Sequence, residues 1–413
     1  MTKKSDAPAI RFKGFSDAWE QRKAKELFVS TADKGYPELP VLSATQDRGM
    51  IRRDENSINI FHDKKNEAGY KRVLPGQFVI HLRSFQGGFA HSAIEGITSP
   101  AYTVFGFSEP EKHDSEYWKY VFTSKSFIQR LETVTYGIRD GRSISYEEFL
   151  TLGFVYPSKA EQTAIARYLD KLSDLITLHQ RKFEKLTNVK KSMLEKMFPQ
   201  NGSSYPEIRF KGFTDPWEQR KLASLCEKFT DGDWIESKDQ SAFGVRLVQT
   251  GNVGVAEYLD KPNNKKWISE DTFDRLHCEE VLPGDILISR LPEPAGRACI
   301  MPLLGTKMIT AVDCTIVRTA PDMSNKFLVQ YLSSQAYFDD VNICLAGGTR
   351  QRISRGNLAN FDVPIPVKKS EQDAIGMFFG YLDNLITLHQ RKPFLMKWRT
   401  SDANRNQTNR LVL

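Results

Sequence analysis

The stretch from Glu161 to Phe198 reads EQTAIARYLDKLSDLITLHQRKFEKLTNVKKSMLEKMF, and it decides the fold. One set of positions recurs in it at alternating spacings of four and three, interrupted only by a histidine and a lysine: Ile165, Leu169, Leu172, Ile176, His179, Phe183, Leu186, Lys190, Met193 and Met197. This a/d pattern predicts a helix that packs lengthwise against another helix. At 1.5 Å per residue, the helix would be about 57 Å long.

The chain contains two copies of the same blocks. The run IRFKGF at 10–15 returns at 208–213, and EQRK at 20–23 returns at 218–221. Further along, Glu161-Gln162 returns at 371–372, and LITLHQRK at 175–182 returns at 385–392. Identity over eight residues indicates an internal duplication, so the helix near the middle of the chain has a shorter relative near the end.

The segments between the repeated blocks differ in sequence and agree in plan. Each has a Pro-Gly turn, at 75–76 and 283–284, that leads into a β-type run, followed by a second β-type run and an amphipathic helix. A glycine-flanked basic loop comes next, at 137–145 and 347–355. We therefore predict an α/β fold with two similar domains and long helices. The predicted boundaries are 1–160 and 199–367 for the domains, 161–198 for the central helix, 368–392 for a distal helix and 393–413 for a disordered tail.

The composition is that of a globular protein of two or three domains. The 413 residues are 40% hydrophobic and 26% charged, and the net charge of +7 favours an acidic partner such as nucleic acid, although many proteins with this balance bind none. Five cysteines without a CxxC pair fit a reducing, cytoplasmic setting. We expect neither a signal peptide nor a membrane span, because no apolar run is long enough.

The duplicated IRFKGF-x-D-x-W-EQRK blocks, the EQ…LITLHQRK helices and the KKSMLEKMFP end of the central helix resemble the specificity (S) subunit of type I restriction–modification systems. The resemblance extends to about Lys392. It implies two target recognition domains, each reading one half of a bipartite, asymmetric DNA site, and an antiparallel coiled coil that sets the gap between the half-sites. The implied partners are double-stranded DNA, two DNA adenine methyltransferase (M) subunits and restriction/translocase (R) subunits in the full complex.

Arginine and glutamine can each bond two acceptors on a base edge in the major groove, and flanking glycines let the backbone approach phosphates. The basic loops therefore hold our candidate DNA contacts, together with three arginines after the predicted strands. The alternative for each is a solvated or ion-paired surface residue. The candidates are Arg83, Arg139, Arg142, Ser143, Arg290, Arg297, Thr349, Arg350, Gln351, Arg352 and Arg355.

His179 and His389 occupy the same place in the repeated helices, where a polar residue at a core position often fixes the register. A metal site would need further ligands, and none is suitably spaced, so we expect no metal. Trp19 and Trp217 are read as anchors of the repeated block or as ordinary core residues. The residues expected to pack the spacer helices are Ile165, Leu169, Leu172, Ile176, His179, Leu382, Ile386 and His389.

No phosphate-binding loop, HExxH, GxSxG or amino-methyltransferase motif is present, so we predict a non-catalytic recognition subunit without a cofactor. Three alternatives remain open: a coiled-coil adaptor that binds proteins, a degenerate inactive S subunit, and an enzyme with an unrecognised site. The alternative for the central helix is a plain dimerisation coiled coil. Binding to duplex DNA that weakens with salt would distinguish a DNA-recognition subunit from a protein-binding adaptor.

After Lys392 the second copy departs from the first, and Pro393 should end or kink the helix. The abrupt change suggests a frameshift or recombination that shortened the distal repeat. We expect this loss to leave Phe183–Phe198 of the central helix exposed, where it could promote self-association.

Overall fold

A computed structural model describes residues 8, 10–45, 48–56, 64–81, 88–131, 135–136, 143–200, 202–346 and 351–405; for 135, 136, 143 and 391–405 it describes the backbone only. The chain divides into two compact units. The first contains Met1–Leu178 and the second His179–Arg391. Each is a mixed α/β structure, as predicted, and none of the described helices is long and apolar enough to cross a membrane.

The first unit is built from short strands and helices in alternation. Its strands are β1 Glu20–Lys23, β2 Phe28–Thr31, β3 Leu42–Thr45, β4 Gly49–Arg52, β5 Lys71–Val73, β6 Phe78–Ile80, β7 Phe89–His91, β8 Gly96–Thr98, β9 Thr103–Phe107, β10 Thr135–Tyr136, β11 Ser143–Ile144 and β12 Gly153–Tyr156. Its helices are α1 Ala24–Leu27, α2 Ser115–Thr123, α3 Lys125–Leu131 and α4 Tyr146–Phe149, and the long α5 runs from Lys159 to Met197.

The second unit follows the same plan. Its strands are β13 Glu218–Lys221, β14 Cys226–Asp231, β15 Gln240–Ser241, β16 Val245–Val248, β17 Lys266–Ile268, β18 Ile286–Ser289, β19 Ala298–Ile300, β20 Met308–Thr310, β21 Cys314–Thr319 and β22 Asp362–Ile365. Its helices are α6 Glu270–Leu276, α7 Asn325–Tyr331, α8 Gln335–Ile343 and α9 Arg355–Ala359, followed by α10 Lys369–Arg405.

The duplication seen in the sequence is also a duplication of topology. The first unit has a four-stranded sheet in the order β2-β9-β6-β7, and the second has its counterpart in the order β14-β21-β18-β19. The repeated EQRK run forms β1 and β13, which pair antiparallel with β12 and β22. Beside these sheets, the second unit has one in the order β15-β17-β16-β20, and the first unit has the pairs β3-β4 and β5-β8. The predicted β-type runs therefore become the central strands of the two matching sheets.

Both cores form where the central sheet meets the helices that follow it. The first is rich in aromatic rings, with Phe28, Phe105, Trp118 and Phe149 all buried. The amphipathic segment that contains Trp118 forms two helices rather than one, because the Ser124 hydroxyl bonds the amide of Phe127 at the break between α2 and α3. These cores give the loops at the strand ends a rigid support.

The predicted end of the distal helix is wrong. The helix α10 does not end at Lys392 but continues to Arg405. Pro393 removes only one backbone donor, and several of the residues that follow it, such as Leu395, Met396 and Lys397, are good helix formers. The residues beyond Arg405, part of the predicted disordered tail, lie outside the described residues.

The prediction that Phe183–Phe198 is exposed is also wrong. Met197 and Phe198 are buried in the core of the second unit, and Leu186 and Met193 pack against that core. In an antiparallel pair, the C-terminal part of the central helix meets the N-terminal part of the distal helix, and that part is intact. The expected self-association through this segment therefore loses its basis.

Candidate nucleic-acid interface

Four segments of the second unit converge beyond the ends of β14, β18 and β20. The Asp233 amide donates to the carbonyl of Thr310 at 2.9 Å, which places the end of β14 beside the turn after β20. The amide of Arg290 donates to the carbonyl of Asp313 at 2.8 Å, and the amide of Ile353 donates to the carbonyl of Arg290 at 3.1 Å. The predicted basic loop of the second domain therefore lies against Arg290, another predicted site residue.

Arg290 is buried within this convergence. One of its terminal nitrogens donates to the carbonyl of Val312 at 2.6 Å and lies 3.4 Å from a carboxylate oxygen of Asp231. These contacts join three of the four segments. Arg290 stays a prediction as a DNA contact, but its geometry is that of a residue that supports the surface.

Arg297 has a comparable role in the loop after β18. Its guanidinium donates to four backbone carbonyls, those of Val253, Leu291, Pro294 and Thr250, at 2.6 to 2.9 Å. A guanidinium carries five N–H donors, so this network uses most of its capacity. Burial lowers the pKa of Arg297, although an arginine remains charged at neutral pH. Arg297 therefore fixes the loop on which the neighbouring side chains rest.

Arg352 and Arg355 have the opposite character, because their side chains are 50% and 46% exposed. Within the part of the chain that the structure describes, each side chain has one long ion pair, Arg352 with Asp313 at 3.6 Å and Arg355 with Asp231 at 3.9 Å. Gln351 beside them is also exposed. Long, solvent-screened pairs of this kind contribute little free energy, so the two guanidinium groups can exchange their carboxylates for phosphate or base acceptors.

The basic loop is held at its two ends. Ala346 and Arg352 exchange two backbone hydrogen bonds of 3.1 and 2.9 Å in an antiparallel bridge. Thr349 and Arg350, at the tip of this loop in the sequence, lie outside the described residues. The pair fixes where the loop leaves and re-enters the domain.

The first unit gives less information about its predicted contacts. Arg83, Arg139 and Arg142 lie outside the described residues. The backbone of Ser143 begins β11, which pairs antiparallel with β10. In both units, therefore, the basic loop is flanked by a short antiparallel pairing, β10 with β11 in the first unit and Ala346 with Arg352 in the second.

Sequence reasoning missed Lys261. A side chain added to Gly251 would place its Cβ 3.0 Å from the Lys261 ammonium nitrogen, so the lysine lies directly over the backbone of this glycine. Gly251 adjoins Thr250, whose carbonyl binds Arg297. The signal available in the sequence was the basic turn KPNNKK at 261–266.

The repeated Glu-Gln pair, which the sequence marked without giving it a role, is a structural clamp. Arg11 binds Glu161 through two hydrogen bonds of 2.7 Å, and Arg209 binds Glu371 through bonds of 2.7 and 2.8 Å. The two glutamates are almost fully buried. Trp217 also donates to Glu371, at 3.4 Å, so it anchors the repeated block on its helix while being part of the core.

The neighbouring glutamines complete the clamp. Gln162 accepts a hydrogen bond from the Asp114 amide at the start of α2 and donates to the carbonyl of Pro157. Gln372 makes the matching bonds to the amide of Ser324 and the carbonyl of Pro366. Each long helix is therefore fastened at its start to the domain that precedes it.

Within the second unit, the end of α5 and the start of α10 pack antiparallel. The Nδ1 atoms of His179 and His389 lie 2.8 Å apart, and the rings of Phe198 and Phe379 lie 6.2 Å apart at the other end of the contact. Lys190 forms an ion pair with Asp383 between them. Leu382 is buried in this contact and Ile386 is half-buried. The predicted antiparallel helix pair is thus present, and the register role of the histidines stays a prediction.

The predicted packing positions of the first half of α5 lie in the first unit. Ile165 packs against the aromatic core, and Leu169, Leu172 and Ile176 are half-buried. Among the described residues, no group of three or more histidine, cysteine or acidic side chains could hold a metal ion. All five cysteines are free thiols, and burial raises the pKa of Cys278 and Cys314 to about 11.

Comparison with known proteins gives a consistent result. The family model described as "Type I restriction modification DNA specificity domain" matches residues 214–394. The MjaVIII specificity subunit of a type I restriction enzyme from Methanocaldococcus jannaschii is 22% identical over 57% of this chain and 56% of its own length, so the match spans little more than half of that relative. The putative MjaX specificity subunit of the same organism is 22% identical over 91% of this chain and 89% of its own length.

The fold agrees with a solved structure as well. The S subunit of a type I restriction–modification system from M. genitalium superimposes with a TM-score of 0.61 at 12% identity, covering 98% of this chain and all of the other. This likeness concerns the fold alone. The family match, which covers the second domain, and the two relatives make this chain similar to the specificity subunits of type I restriction–modification systems.

Proposed function

We propose that the chain confers DNA-sequence specificity on a type I restriction–modification complex, each domain reading one half of a bipartite, asymmetric site. The observation that carries the proposal is the surface formed by Gln351, Arg352 and Arg355. These exposed side chains offer base-edge and phosphate donors, and they rest on a base in which Arg290 and Arg297 donate to backbone carbonyls. The two domains share a topology but differ in sequence, so two unlike half-sites are expected.

The experiment is a map of methylated adenines in host DNA with and without this gene. A bipartite motif that disappears with the gene would support the proposal and reveal both half-sites and the gap between them. An unchanged methylation pattern would indicate a degenerate, inactive subunit. If purified chain, alone or with its M subunit, binds duplex DNA without any sequence preference or salt dependence, the adaptor reading becomes the better one.

We also infer that the chain contributes recognition rather than catalysis. Methyl transfer from S-adenosylmethionine by the purified chain alone would contradict this. The proposed catalytic partners are two M subunits, with R subunits joining the larger complex.

Two equivalent apolar patches support the docking of two copies of one partner. In each unit, the first phenylalanine of the repeated IRFKGF block contacts an aromatic residue of the long helix that follows the domain. The ring centroids are 5.6 Å apart for Phe12 and Tyr168 and 6.0 Å apart for Phe210 and Phe378. Ile10 and Ile208, two positions earlier in each block, are exposed, and Phe210 is half-buried against the second core. Equivalent patches on duplicated elements suit two identical partner subunits.

Phe12→Ser and Phe210→Ser test this docking. Each single variant should co-purify with one M subunit instead of two, and the double variant with none. Val155→Ser, on an exposed apolar residue outside the patches, is the control and should keep both. Two M subunits on the double variant would contradict this proposal and leave the DNA-reading role untouched.

A further inference from the structure

Trp234 is 73% exposed, which is unusual for a residue that proteins mostly bury. It follows β14, at the end of the second unit where the candidate interface lies. No sequence motif contains it, because a single tryptophan in the run DGDW has no diagnostic spacing. Its position in the fold makes it noteworthy.

The backbone that leads into Trp234 is fixed on the interface. The amide of Gly232 donates to the carbonyl of Cys314 at 2.9 Å, and Val312 donates to the carbonyl of Asp233 at 3.0 Å. A Cβ on Gly232 would lie 2.3 Å from the carbonyl oxygen of Thr310, so only glycine allows this approach. The tryptophan therefore emerges from a rigid segment.

The same segments connect Trp234 to the exposed arginines. The carbonyl of Val312 binds the buried Arg290, and the next residue, Asp313, pairs with Arg352. Asp231, three residues before the tryptophan, pairs with Arg355. The ring and the two guanidinium groups are thus displayed from one hydrogen-bonded base.

We propose that Trp234 is a specificity-determining residue of the second domain, its ring stacking on bases of the duplex beside the contacts of Arg352 and Arg355. This inference rests on the proposed function. Apolar side chains that insert at a base step partly unstack it, and pyrimidine–purine steps yield most easily. The ring would therefore select a deformable step, in addition to the hydrogen bonds that arginine and glutamine supply.

The test is a selection from a duplex library with 30 randomised base pairs, carried out with the chain alone and in complex with its M subunit. Wild-type chain should enrich a bipartite motif. Trp234→Ala should lose preference at one or two adjacent positions of one half-site and bind the wild-type motif about tenfold more weakly, as expected for the loss of one stacked base. Trp234→Phe should retain part of the preference, because a smaller ring still stacks.

Phe243→Ala is the matched control. Phe243 is 80% exposed and lies just before the start of β16. Strand β20 runs parallel to β16, and the segment that carries Trp234 binds the last residue of β20. The two aromatic side chains therefore leave from opposite ends of this sheet. This variant should enrich the wild-type motif with unchanged affinity. For every variant, the positions of the second domain's half-site that keep their preference show that this domain is folded.

The outcomes are distinguishable. If Trp234→Ala enriches the wild-type motif unchanged and binds it with equal affinity, this inference is overturned and the proposed function stands. A wild-type chain that enriches no motif, alone or with its M subunit, would overturn the proposed function and the inference with it. An equal loss of preference across both half-sites would assign Trp234 a general role in folding or affinity and would also overturn the inference.

Discussion

The guanidinium of Arg209 and the carboxylate of Glu371 meet in two parallel hydrogen bonds of 2.7 and 2.8 Å. The side chain of Glu371 is only 2% exposed, and its hydrogen bonds raise the pKa of Arg209. Arg11 and Glu161 repeat the arrangement in the first unit. A paired fork of this kind fixes direction as well as distance, so it determines how each long helix leaves its domain.

Removing one partner of this clamp should be costly. We expect Glu371→Ala to destabilise the second unit by roughly 2–4 kcal/mol, because the arginine is left partly buried without its carboxylate. Hydrogen exchange in α7 and in the first turns of α10 is the measurement, since a chain of two units has no single unfolding free energy.

Glu184→Ala, on an exposed position of α5, is the control and should change protection by less than about 0.5 kcal/mol. Exchange in Glu371→Ala that matches the control would show that the clamp has no stabilising role.

The exposed arginines should contribute to DNA binding through charge. We expect Arg352→Ala and Arg355→Ala each to weaken binding. If the lost contact is to a phosphate, the slope of log K against log salt should fall by about one. A base contact should instead relax the preference at one position, at a cost of about 1–3 kcal/mol.

Lys368→Ala removes the same charge from an exposed lysine that pairs with Asp215, at the start of the distal helix. It should leave both the affinity and the slope nearly unchanged. Equal effects of all three substitutions would mean that the net charge of the chain, rather than this surface, drives binding.

Much of the fold was predictable because the sequence contains two copies of it. A pattern found twice, such as EQRK before and LITLHQRK after a variable segment, marks the boundary of a structural unit, and the strands at 286–289 and 314–319 follow from their apolar runs. The clamp was not predictable, because the two partners of Arg11–Glu161 lie 150 positions apart. Only the fold brings them together.

The candidate site was predicted in part, for a related reason. Composition and glycine spacing identified Arg352 and Arg355, which the structure leaves exposed. Arg290 and Arg297 were selected because they follow predicted strands, and in the structure they donate to backbone carbonyls. The sequence shows that an arginine is present, but it does not show whether the N–H groups of that arginine already donate to backbone carbonyls. The error about Phe183–Phe198 was one of geometry, because an antiparallel pair matches opposite ends of its helices.

The first unit should lose stability in mild acid. Burial lowers the pKa of His113 and of His91, while the nearby carboxylates of Glu109 and Glu116 offset part of the effect. The unfolded chain therefore takes up protons at a higher pH than the folded chain. The free energy of unfolding of the first unit should therefore be highest above the ordinary histidine pKa of about 6.5 and should decrease as the pH falls below it. The loss is at most about 1.4 kcal/mol per histidine at pH 5.5.

Hydrogen exchange in β6 and β9, corrected for the intrinsic pH dependence, would measure this loss. His113→Phe preserves the stacking on Phe107, whose centroid lies 4.7 Å away, and should remove the share of the acid loss due to that ring. An acid response in His113→Phe equal to that of the wild-type chain would show that this histidine is not a source of the effect.

The histidine pair should fix the alignment of the two long helices in the second unit. Because Nδ1 of His179 and Nδ1 of His389 lie 2.8 Å apart, one must donate and the other accept. A polar pair at a helix-pair core position favours the alignment that joins the two side chains, at some cost in stability. We therefore expect the two histidines to select one register rather than to add stability.

The double variant His179→Leu with His389→Leu should raise the hydrogen-exchange protection of Phe183–Phe198 by about 1 kcal/mol, because leucine suits a helix-pair core position better. If the histidines fix the register, the double variant should also populate additional species in sedimentation, since leucines tolerate several alignments. A single species whose protection equals that of the wild-type chain would contradict both expectations.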